Sequence, residues 1–150
     1  MNSFYTVIEY LKDFLLQDVD VNTCTHGDVN DVDIDKKNIF PLAHILATGM
    51  SFPVGMVAYN FTIHILDQRN ISKKKVTDKW LKNDNELDNL ATCGAVVNRL
   101  VSNLKRQYND FDIDLLNEPN PVPVIYQFTN VLDGWQVDIQ LGISNTIEVC

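Results

Sequence analysis

From Met56 to Asp67 the side chains alternate without a break, with Val57, Tyr59, Phe61, Ile63 and Ile65 on one side and Ala58, Asn60, Thr62, His64 and Leu66 on the other. A period of two sends successive side chains to opposite faces of a strand. This run therefore commits the chain to a sheet with one apolar face and one semi-polar face. The second face suits water, a helix or a neighbouring subunit. A similar run, Trp135, Val137, Ile139, Leu141 and Ile143 against Gln136, Asp138, Gln140 and Gly142, follows a shorter strand predicted from Val124 to Thr129. Asp133-Gly134 between the two is a hairpin cue. Earlier in the chain, Val19, Val21, Thr23 and Thr25 alternate with polar residues and predict a short, half-exposed strand. Gly27-Asp28 reads as a turn. Pro41 to Thr48 reads as a strand opening on a proline, where no ladder N–H is needed, and Gly49 to Gly55 with Pro53 reads as a turn.

Two segments carry helical spacing instead. Phe4, Val7, Ile8, Leu11, Phe14 and Leu15 recur at three and four residues behind Ser3, a good N-cap, with Glu9, Lys12 and Asp13 opposite. The second helix is predicted to start after Asn83, with Glu86 completing a capping box. An apolar stripe of Leu87, Leu90, Ala91, Gly94, Val97, Val101, Leu104 and Tyr108 follows. Gly94 in that stripe costs about 1 kcal/mol of helix propensity relative to Ala and points to close approach of helix and sheet. Asn109 to Pro123 reads as an acidic, proline-bearing loop. Helix, strands, helix, strands predicts an α+β fold, a mostly antiparallel sheet with helices packed on one face. One domain over residues 1–150 is expected, with extended loops or arms at about 27–40 and 68–82.

Charge and cysteine usage narrow the function. The formal net charge is −8, which argues against a grip on DNA through phosphate neutralisation, since that needs clustered Lys and Arg. Cys24, Cys93 and Cys150 are odd in number and share no metal or redox spacing, so a reducing compartment is expected. Charges inside the first apolar pattern speak against a signal peptide, and no apolar run is long enough for a membrane span.

Chemistry offers little. Asp31, Asp33 and Asp35 occupy positions 1, 3 and 5 of a calcium-loop frame, but Lys36 stands where the glycine belongs and Leu42 where the bidentate glutamate belongs. A frame from Asp18 fails at Val29. A solvated or subunit-facing acidic loop is the better reading. His44 and His64 could meet on neighbouring strands and, with Asp67, hold a metal, although lone strand histidines are more often structural. No serine sits in a nucleophile elbow and Cys93 lies inside a helical pattern, so neither catalysis nor a cofactor is expected. The basic segment Lys73, Lys74, Lys75, Lys79 and Trp80 reads as a solvated loop, a nucleic-acid contact or a partner contact. The favoured functional reading sets it against the acidic run Asp28, Asp31, Asp33 and Asp35 of another copy. Opposite patches steer association and fix register.

Three segments carry a family resemblance: Gly27-Asp28 through Asp31-Val32-Asp33 to Phe40-Pro41-Leu42-Ala43-His44-Ile45; Asn83-Asp84-Asn85-Glu86-Leu87-Asp88 leading into Val97-Asn98-Arg99-Leu100; and the closing stretch from Trp135 to Cys150. In that order they resemble tail-terminator or neck-ring proteins, the head-to-tail connectors of tailed bacteriophages, including crAss-like phages. The resemblance implies a sheet flanked by helices and no catalytic residues. It implies a structural virion protein in the neck or tail, assembled in the host bacterial cytoplasm. There it would form a six- or twelve-fold ring of identical subunits, contacting portal, neck or tail proteins, with the genome passing through unread. The alternative is a small acidic monomeric or dimeric binding module acting on a host protein.

Overall fold

A computed structural model of the chain describes residues 3–27, 40–69, 85–106, 112–127 and 131–145. The described residues form two helices and one six-stranded sheet, in the order α1 (Ser3–Gln17), β1 (Thr23–His26), β2 (Leu42–Ser51), β3 (Met56–Gln68), α2 (Glu86–Arg106), β4 (Asp114–Leu115), β5 (Val122–Gln127) and β6 (Leu132–Ser144). The strand order is β1-β2-β3-β6-β4, with β5 on the same side of β6 as β4 but further along it. Among the described residues only the β1–β2 pair is parallel. This is an α+β fold with a mostly antiparallel sheet.

The central ladder follows directly from the two alternating runs. β3 and β6 pair over their full lengths, from Met56 opposite Ser144 to Gln68 opposite Leu132. That register puts Val57, Tyr59, Phe61, Ile63 and Ile65 on one face beside Ile143, Leu141, Ile139, Val137 and Trp135. Both helices cover this face. Val7, Leu11 and Leu15 of α1 and Cys93, Val96, Val97, Leu100 and Leu104 of α2 pack there with Ala43 and Ile45 of β2. Each such large aliphatic side chain, once fully buried, contributes about 1.5–3 kcal/mol, so this single face holds most of the hydrophobic stabilisation. Phe4 anchors α1 with its ring 5.5 Å edge-on from Tyr59. The opposite face holds a smaller cluster of Leu42, Leu66, Val124 and Leu132 under Phe40.

Several boundaries differ from the sequence expectation, each for a physical reason. β1 begins at Thr23 because residues 18–20 turn at the end of α1, where the Asp18 carboxylate accepts the Asp20 amide at 3.0 Å. β2 runs on through Gly49 to Ser51, since a bulge between Ala47 and Gly49 absorbs the extra residue and lets pairing with β3 continue. The predicted loop of 109–123 contains β4 and the start of β5. α2 starts at Glu86, and Asn85 is its cap, its carbonyl accepting the Asn89 amide at 2.9 Å; Asn83 lies outside the described residues. The buried stripe of α2 is Asn89, Cys93, Val96, Val97, Leu100 and Leu104, while Leu87 is exposed. Gly94 does mark a close approach: a Cβ there would sit 3.1 Å from the Trp135 indole nitrogen, which donates to the Leu90 carbonyl at 2.8 Å.

Asp133-Gly134 is not a turn. Both residues lie inside β6, opposite Asp67 and Leu66. A Cβ on Gly134 would fall 1.9 Å from the Ile65 carbonyl oxygen, so only glycine allows the two backbones their spacing. Gly142, further along the same strand, meets only the ends of the Leu116 and Met56 side chains at 2.7 Å. Flexible side-chain ends can move and a ladder carbonyl cannot. Gly134→Ala is therefore expected to cost about 3 kcal/mol or more in urea unfolding and Gly142→Ala less than about 1.5 kcal/mol; equal costs would show that the β3–β6 spacing is not what selects Gly134.

Candidate functional site

The sheet face away from the helices gathers the polar side chains of three strands. Asn60, Thr62 and His64 of β3 stand beside Gln140, Asp138 and Gln136 of β6, and His64 stands opposite His44 of β2. The Thr62 hydroxyl donates to Asp138 at 2.6 Å. Asn117, just after β4, donates to the Asp138 carbonyl at 3.0 Å and accepts the Gln140 amide at 2.8 Å. Gln140 reaches Ser51 at 3.4 Å. Alternation alone places these groups, because the same period that aims Ile63 and Val137 at the helices aims their neighbours here.

His44 and His64 do meet, with ring centroids 6.2 Å apart, and both are buried. Both His44 nitrogens are engaged. Nε2 donates to the Gly27 carbonyl at 2.9 Å, which leaves Nδ1 to accept the Thr25 hydroxyl at 2.7 Å. This histidine ties the end of β1 to β2. His64 Nδ1 is buried without a hydrogen-bond partner. Burial, reinforced by His44, pushes the His64 pKa below its ordinary value against the opposing pull of Gln136 and Asp138. Asp67 does not join the pair: it lies on the helix-covered face opposite Asp133. Among the described residues no group of three His, Cys, Asp or Glu side chains could hold a metal ion.

A second polar cluster closes the end of the sheet under α2. The Arg69 guanidinium donates to both Asp133 carboxylate oxygens at 2.8 Å and pairs with Glu86 at 3.0 Å. The Asp133 side chain is wholly buried and that of Arg69 is 10% exposed. Asn89 donates to the Gln68 carbonyl at 3.1 Å, and Asn85 donates to the same carbonyl at 3.3 Å. The Arg69 amide binds the carbonyl of Val131, a β-branched residue held at φ 55°. Burial raises the Asp67 pKa, Asp133 adds to that rise, and the Gln68 amide opposes it. Burial with Asp67 and Asp133 nearby also pushes the Cys93 thiol up to about 12. A thiol that stays protonated at neutral pH is a poor nucleophile. Sequence reasoning passed over Arg69 and Asn89 and read Asp133 as a turn residue; the available signal was Asn89, a polar residue in register with Cys93, Val96 and Leu100.

On the outer side, Arg99 binds Asp18 through two hydrogen bonds of 2.7 Å and Asp20 through a third of 2.7 Å. This joins α2 to the α1–β1 turn. Burial pushes the Asp18 pKa up, but the Arg99 and Asp20 hydrogen bonds outweigh it and hold the carboxyl below its usual range. The nine expected interface residues, Asp28, Asp31, Asp33, Asp35, Lys73, Lys74, Lys75, Lys79 and Trp80, all lie outside the described residues.

The geometry defines a two-layer α+β domain whose helix-free sheet face is polar and hydrogen-bonded. No model of a known protein family matches the chain, and no curated protein matches it.

Removing Arg69 would leave the Asp133 charge buried, so Arg69→Met is expected to cost about 3–5 kcal/mol, part of which Asp133→Leu on the same chain recovers. A double-mutant cycle by urea unfolding measures it, and additive losses would refute the coupling. The lowered His64 pKa means that the unfolded chain takes up this proton first on acidification. The stability due to neutral His64 is therefore complete above about pH 6.5 and is lost as pH falls toward the lower folded value. His64→Gln is expected to flatten the fall in melting temperature between about pH 7 and pH 5; a wild-type slope in the variant would show that another group titrates there.

Proposed function

We propose that this chain is a structural virion protein that forms a homo-oligomeric ring in the neck or tail of a tailed bacteriophage, around the channel through which the genome passes. The observation that carries this reading is the layer arrangement. Both helices sit on one face of a mostly antiparallel sheet, which agrees with the architecture that the tail-terminator resemblance implies. On the other face Asp138 is exposed and Gln136 and Gln140 are half-buried, side chains suited to a wet contact with a neighbouring subunit. The chemistry supports the same reading. His44 is tied up in holding strands together, Cys93 is protonated at neutral pH, and the net charge of −8 suits a channel wall that repels DNA.

A ring of identical subunits needs a heterologous contact, one patch against a different patch of the next copy. The acidic run at Asp28–Asp35 and the basic run at Lys73–Lys79 are proposed to supply its charge pairing. Light scattering on a sizing column at several protein concentrations and two salt levels is expected to show a species of many subunits for the wild type. Lys73→Glu, Lys74→Glu and Lys75→Glu together are expected to weaken that species while leaving the thermal melt unchanged. Normal rings from the folded triple variant would refute the charge pairing, and a concentration-independent monomer would favour the binding-module alternative.

A further inference from the structure

We propose that the β2–β3 hairpin is the surface on which a second copy of this chain docks, by adding a strand along the outer edge of β2 over residues 46–51. The inference deepens the ring reading and rests on it for the identity of the partner. β1 covers β2 only from Thr23 opposite Leu42 to His26 opposite Ile45, with the Gly27 amide binding the Ile45 carbonyl at 3.2 Å. Beyond Ile45 the outer edge of β2 has no ladder partner among the described residues. Such an edge presents a row of amides and carbonyls matched to another extended chain, so its backbone specifies the class of occupant.

The two ends of the sheet are treated differently. β5, on the far side, carries Pro123 with Pro121 just before it, residues that lack the amide a further strand would need. β2 has its bulge at Ala47/Gly49 but no proline and no charge along the open stretch. Where the edge ends, Met50, Phe52 and Val54 are 52%, 69% and 102% exposed. An apolar tip of this kind on a small acidic domain marks a contact surface.

Charge selects the occupant. The chain carries −8, so two copies repel each other over most of their surfaces. Between Lys37 and Asp67, however, there is no Asp, Glu, Lys or Arg. Along its own two strands the hairpin therefore presents no like charge to a second copy, and strand pairing with burial of Phe52 and Val54 then holds it. An anionic bilayer is disfavoured as partner, since the tip offers no lysine or arginine to it.

The test compares the full-length wild type with Phe52→Asp/Val54→Asp, using Val19→Asp, at a site 89% exposed and outside the hairpin, as control. All three are checked for an unchanged thermal melt and then sized by light scattering across a concentration series. The double variant is expected to need at least about ten-fold more protein to assemble, and the control to assemble as the wild type does. Amides of residues 46–51 are expected to exchange at least about ten-fold more slowly in the assembled wild type than in the dissociated variant. Wild-type assembly of the double variant, or equal exchange at those amides, overturns the docking edge while leaving the ring intact. A wild-type dimer that the double variant dissolves supports the edge and refutes the ring. A wild type that stays monomeric overturns the second copy as partner, and its flotation with phosphatidylcholine vesicles would assign the tip to a membrane instead.

Discussion

The buried pair between Arg69 and Asp133 is the constraint on which the rest of this structure depends. It fastens the end of β3 to the start of β6 and, through Glu86, to the first residue of α2. Two long alternating strands can slide, and a slip of one residue would turn every apolar side chain of β6 away from the helices. A wholly buried carboxylate permits no such slip, because any other register strands it without its guanidinium. Gly134 acts beside it in the same sense, since only there can β6 lie against the Ile65 carbonyl. The left-handed backbone of Val131 persists because its carbonyl is held by the Arg69 amide at that corner.

With the register set, the two faces of the sheet have different physics. The helix-covered face is closed by Ile, Val, Leu and Phe, and its two helices are joined across their outer side by Asn103 and Tyr10 at 2.8 Å and by Arg99 with Asp18 and Asp20. The other face is held by hydrogen bonds between side chains one strand apart, with the two histidines at its β2 side. His44 is there because its ring spans from Thr25 to Gly27 and so secures the short parallel strand β1, which has few ladder bonds of its own.

The clearest elements in the sequence were those with long, unbroken periodicity. β3 was legible to within one residue, and α1 agrees with its apolar spacing from Ser3 to Gln17. The meeting of His44 with His64 was also legible, as a consequence of adjacent strands, though the tie to Thr25 and Gly27 was not. Asp133-Gly134 was read as a turn because those two residues favour turns by their local chemistry. Here the aspartate serves a distant arginine and the glycine a neighbouring backbone, and neither use leaves a local trace. The second helix shows the same limit: its apolar residues span more than one stripe, and the choice of Asn89 over Leu87 for the buried side follows from the Gln68 carbonyl that Asn89 meets.

By itself the sequence determined the two helices, the long strands β3 and β6 with their apolar and polar faces, and hence the α+β class, since these follow from spacing within a single segment. Only the tertiary structure decided the strand order, the β3–β6 register and the corner built from Arg69, Asp133, Glu86 and Asn89. It also decided which edge of the sheet carries no further strand among the described residues. These are relations between residues far apart in the chain, set by a buried charge needing its partner and by a backbone that tolerates only glycine, and no local pattern encodes either.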